Sequence, residues 1–223
     1  MQKKNLDTYT YSGLGAALVM AFAFFIHNVN GIYIEPTFLG FEDRVNDYAK
    51  IEKLQNALLS WPWILSGFGH LLTGFASFVL GVVGNHLFID DHPIASRLCS
   101  YAAIAAGCGF LLTGVTSVGG AQTLTLLADN NPDYVQVVFL ASTITRVSFN
   151  SLAIVAMGWF MLQISWCGLK TAKLPRTFCY FGYLSALSGL LMAIAYIPVY
   201  LPLYFFWALW LAIILGYRKP GTW

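Results

Sequence analysis

Apolar residues along this chain fall in six long blocks separated by polar stretches. The blocks lie at about 13–34, 61–88, 97–120, 134–166, 177–197 and 200–217. Each is close to or longer than the roughly 20 residues that carry an α-helix across a bilayer. The pattern predicts an all-α integral membrane protein of six transmembrane helices in one helical-bundle domain, with both termini on one side. The first block is followed by His27-Asn-Val-Asn30, with no small-residue cleavage site, and reads as a retained span rather than a removed signal. Between the first two blocks the pattern changes. Phe41, Val45, Tyr48, Ile51, Leu54 and Leu58 recur every three or four residues in otherwise polar chain. That spacing predicts an amphipathic helix lying on the membrane surface over 41–58. A break is expected at Gly119–Gly120, with a polar loop over 121–133 and a tight turn at Pro198 and Pro202.

Within the blocks the small residues are ordered. The second carries Gly67, His70, Gly74, Ser77, Gly81 and Gly84 at heptad spacing. The third carries Ser100, Ala103, Gly107, Gly114 and Ser117, and the fifth Gly182, Ala186, Gly189 and Ala193. Seams of this kind let membrane helices touch backbone to backbone. One unit repeats: Gly69-His-Leu-Leu-Thr-Gly-Phe-Ala-Ser77 matches Gly109-Phe-Leu-Leu-Thr-Gly-Val-Thr-Ser117 at six of nine positions. The two copies sit on consecutive spans and run in opposite directions, so they are no simple parallel duplication.

Charge orients the bundle. Lys3, Lys4, Arg97, Lys170, Lys173, Arg176, Arg218 and Lys219 fall on the side of the termini, against Arg44, Lys50 and Lys53 on the other. Eight against three predicts cytoplasmic termini in a plasma or inner membrane. Only 10% of the 223 residues are charged and 58% are hydrophobic, where a soluble domain carries about 25% charged. Most of the surface is therefore expected to face the lipid bilayer. A net charge of +2 gives a nucleic-acid partner no support. The four cysteines form no Cys-x-x-Cys pair and read as small apolar packing residues.

Against that background the ionisable residues inside the blocks stand out: His27, His70 and Arg146, with no Asp or Glu. At about 1.5 Å per residue, His70 lies about 13 Å below Trp61 and Arg146 about 17 Å below Tyr134. All three are expected at comparable depth, in the outer half or near the midplane, beside Asn28 and Asn150. An intramembrane guanidinium costs about 2.5–3.5 kcal/mol and needs carbonyls, water or an anion. His27, Asn28, His70, Arg146 and Asn150 are the expected ligand-binding set. At the cytoplasmic mouth of the second block, His86, Asp90, Asp91 and His92 are the candidates for a metal, and they read equally as an ordinary polar helix end.

Leu174-Pro-Arg176 followed by a glycine-bearing block to Leu191, with Leu209-Trp-Leu-Ala-Ile-Ile-Leu-Gly-Tyr-Arg218, resembles the last two spans of an uncharacterised family of small bacterial polytopic membrane proteins. The resemblance implies a helical membrane fold and brings no activity, cofactor or site residue.

No Gly-x-Ser-x-Gly, His-Glu-x-x-His, Walker or dinucleotide-binding motif occurs. Three function classes follow. The first is a non-catalytic membrane subunit or binding protein that packs with other membrane subunits, or with itself, through small-residue faces and holds a small ligand. The second is a redox subunit with a b-type haem on His27 and His70. The third is a transporter or channel for a small solute.

Overall fold

The computed structural model describes residues 2–34, 37, 61–195 and 199–217. Among these the chain is all-helical. The helices are α1 (Gln2–Val29), α2 (Trp61–Phe88), α3 (Pro93–Asn130), α4 (Val135–Thr171), α5 (Arg176–Ala195) and α6 (Tyr200–Tyr217). A π-helical turn, Asn30–Ile34, continues α1, and a 3₁₀ turn, Pro132–Tyr134, joins α3 to α4. Five of the helices are long and apolar enough to cross a membrane, and α5 has 20 residues. Large apolar side chains are exposed on every helix, among them Phe22, Phe75, Ile104, Leu152, Leu187 and Phe206. An outside this apolar fits lipid and not water. The amphipathic segment expected over 41–58 and Pro198 lie outside the described residues.

The structure corrects two expectations about the elements. No break occurs at Gly119–Gly120, and most of the loop expected over 121–133 is helix, because α3 runs unbroken to Asn130. Thr123 and Thr125 donate their hydroxyls to the Gly119 and Ala121 carbonyls one turn back. Their polarity is thereby absorbed by the helix itself. Pro202 is not part of a turn either. It lies in the first turn of α6, where a helix has no use for its missing N–H.

Each helix packs on its neighbours in sequence, and α6 packs back on α1, so the bundle is a closed up-and-down ring. Gly13 near the start of α1 lies against Val83 of α2 and Leu215 of α6. The start of α1 and the ends of α2 and α6 therefore share one end of the bundle, called proximal here. The centre is filled by Phe24, Phe110, Ile154, Met157 and Tyr204, all under 3% exposed. Tyr204 spans this core, donating its hydroxyl to the Ile154 carbonyl at 2.9 Å.

The α2–α3 contact explains the repeated unit. Leu111 of the second copy sits on Gly74 of the first, and Leu71 of the first sits on Gly114 of the second. Gly67 receives Val118, and Gly107, the equivalent glycine, receives Phe78. The two copies thus meet as an inverted pair about a local two-fold axis, each supplying the leucine that fills the other's notch. A Cβ at Gly74 would come within 3.0 Å of the Gly107 carbonyl oxygen, and one at Gly114 within 2.8 Å of the Gly67 carbonyl oxygen. The seam of α5 is used likewise: Gly182 faces Ser165 and Trp207, and Gly189 faces Tyr204. The small-residue faces expected to meet partner subunits are therefore occupied inside this chain.

At the proximal end Lys173 Nζ pairs with Asp91 at 2.6 Å and donates to the Leu87 carbonyl at 2.9 Å. This contact ties the α4–α5 connection to the end of α2. All four cysteines are free.

Candidate functional site

The two copies differ at three positions, and at one of them an aromatic ring is exchanged for an ionisable one. Where α3 has Phe110, α2 has His70, and the two rings lie nearly parallel at 16° with centroids 6.1 Å apart. Next to His70, Gly69 lacks the side chain that would otherwise exclude α1. A Cβ there would stand 2.9 Å from His27 Nε2. The equivalent Gly109 instead admits Ala153 of α4. Thus the same glycine that brings α4 onto α3 brings a histidine of α1 onto α2.

His27 and His70 are in ring contact, with centroids 4.2 Å apart and planes tilted 37°. Phe24 flanks His27 at 6.3 Å and Phe110 at 6.2 Å, so the pair rests on an aromatic floor. His27 Nε2 and His70 Nδ1 are both buried and make no hydrogen bond of good geometry among the described residues, the Gly69 carbonyl being the one acceptor near His27. Leaving a buried polar nitrogen unpaired costs about 1–3 kcal/mol. Two such atoms at one point mark a place built to receive something, or a packing cost without return.

The other expected site residues are dispersed. Asn28 turns away and donates to the Phe24 carbonyl of its own helix at 2.7 Å. Arg146 is not at the depth of the histidines. Its guanidinium carbon lies 4.5 Å from the ring centroid of Trp63, two helical turns beyond His70 towards the distal end. Counted from Thr171, Arg146 is 25 residues up α4, about 37 Å, whereas His70 is 18 residues above Phe88, about 27 Å. The common depth expected for Arg146 and the two histidines is therefore corrected: Arg146 stands about two helical turns distal to His70. The error has a physical origin. At 37 residues α4 is far longer than a span, so depth measured from its start is overestimated. Asn150 lies one turn below Arg146, partly buried. Asn30 donates to the Pro62 carbonyl at 3.1 Å and fastens the end of α1 to the start of α2.

The four candidates for a metal have separate roles. His86 stacks on Tyr9 at 3.9 Å, Asp91 pairs with Lys173, Asp90 is exposed, and His92 packs on Trp166 at 5.1 Å. No group of three His, Cys, Asp or Glu side chains that could hold a metal forms among the described residues.

The histidine pair does not fit a b-type haem. Imidazoles binding one metal from opposite sides stand with ring centres about 6 Å apart, since each metal–nitrogen bond is about 2 Å. The macrocycle must also lie between them. Rings in contact at 4.2 Å leave no such plane.

Comparison of the chain with protein-family models, with curated proteins and with solved structures found no match. The resemblance of the last two spans rests on their own residues alone.

Proposed function

We propose that this chain is a six-span, non-catalytic membrane protein that holds a small ligand at His27 and His70, in the half of the bundle facing outside. The observation that carries the reading is the contact of two imidazoles from different helices, each with a buried nitrogen that makes no hydrogen bond of good geometry. The eight-to-three distribution of basic residues supports cytoplasmic termini, which puts the pair towards the outer surface. The absence of Asp and Glu from all six apolar blocks supports binding over acid–base catalysis. Because the glycine seams are used within the ring, any association with other subunits would use the lipid-facing side chains instead.

The test is native mass spectrometry of protein purified in lipid nanodiscs. Wild type should carry one small molecule that His70→Phe lacks, with helical content unchanged. Equal small-molecule content in the two proteins, including none in either, would contradict the proposal.

A further inference from the structure

A cleft of about 480 Å³ opens at the proximal end of the bundle, between the α4–α5 connection and the end of α6. It is lined by Lys173, Leu174, Pro175, Ile213, Ile214 and Tyr217, among others. That volume lies within the range of about 300–1,000 Å³ common to small-molecule sites. Its wall is apolar and its edge is basic.

Leu174 and Ile214 are buried and form the base of the wall. Ile213 and Tyr217 are exposed. With the exposed Phe206 they recur at spacings of seven and four residues, so they share the lipid-facing side of α6. The cleft thus continues a lipid-facing stripe, and a molecule dissolved in the bilayer reaches it sideways.

The edge carries surplus positive charge. Lys173 directs two of its three N–H donors to Asp91 and the Leu87 carbonyl, which leaves one. Arg176, the residue after Pro175, is exposed and has no ion pair among the described residues. Lys170, in the last turn of α4, is likewise exposed and unpaired among them. Beyond Tyr217 the sequence continues with Arg218 and Lys219, of the same sign. An apolar wall edged by basic residues at the end of a membrane helix is complementary to an amphiphile with an anionic head. A soluble anion would leave the apolar wall bare.

We propose that this cleft binds one anionic phospholipid, its headgroup phosphate held by Lys173 and Arg176 and an acyl chain laid against Leu174, Ile213 and Ile214. The lipid braces the α4–α5 connection against α6. The site does not depend on the histidine pair.

The test is native mass spectrometry of the full chain released from nanodiscs of phosphatidylcholine and phosphatidylglycerol in equal parts. Wild type should retain one phosphatidylglycerol in preference to phosphatidylcholine. Arg176→Gln should lower that retention about fivefold, the worth of one basic residue at a headgroup. Ile213→Trp, which fills the cleft without changing charge, should lower it as well. Arg97→Gln removes a charge near the start of α3, outside the cleft lining, and should retain the lipid as wild type does. Equal retention of the two lipids by wild type would overturn the proposal, as would full retention in both Arg176→Gln and Ile213→Trp. Equal losses in Arg176→Gln and Arg97→Gln would replace the site with a general attraction to the basic end. Displacement of the lipid by soluble glycerol phosphate would replace it with a phosphate site that needs no acyl chain.

Discussion

Ala172 ends α4 in the left-handed region, with φ 55°, a conformation that glycine adopts without a Cβ penalty. The position lies in the connection held by Lys173 and Asp91. Ala172→Gly should raise stability by about 0.5–1 kcal/mol, the usual size of such a backbone effect. Thermal unfolding in detergent checks it. The Lys173–Asp91 pair is itself partly exposed and contributes no more than about 1 kcal/mol. At this scale the sequence was informative about identity and poor about surroundings. His27, His70 and Arg146 were visible as ionisable residues in apolar blocks. That the first two touch and the third stands two turns away follows from Gly69 and from the length of α4, and spacing along one helix encodes neither.

Among the helices, the glycines differ by what faces them. A Cβ at Gly109 would lie 2.9 Å from the Ala153 amide nitrogen and 3.0 Å from its Cα, backbone atoms that cannot swing aside. Gly15 of α1 has nothing within 4 Å of that position. Gly109→Ala should therefore destabilise by about 1–3 kcal/mol, as overpacking does. Gly15→Ala should be neutral or stabilise by up to about 1 kcal/mol through helix propensity. Denaturation of both variants in one lipid condition compares them; equal effects would remove the close α3–α4 contact from the account. The seams themselves could be read from residue type and spacing. Their partners could not, because a heptad of small residues states that something approaches closely and not what. The stretch of α3 beyond Gly120 was missed because hydropathy measures fitness for lipid, not for helix. Ala121, Leu124, Leu127 and Ala128 already recur at helical spacing, and they pack with Trp63, Val135 and Phe139 as a small second core.

For the molecule as a whole, the ring is closed on all sides by apolar packing, and its centre is an aromatic and aliphatic plug. Phenylalanine at both equivalent positions would remove the one ionisable difference between the two copies of the α2–α3 unit. The chain instead has His70 on one side and sets His27 against it. If the histidines are a structural fastener, the imidazoles are needed for stability. If they form a ligand point, the ligand-free protein bears two unsatisfied nitrogens and gains nothing from them. Thermal unfolding of ligand-free His70→Phe beside ligand-free wild type, in the same nanodiscs, separates these directly. The account predicts a variant within about 1 kcal/mol of wild type or above it, because the relieved nitrogen offsets the slightly larger ring. A variant that melts well below wild type, by more than about 2 kcal/mol, would show that the imidazole holds α1 to α2 and would contradict the binding site.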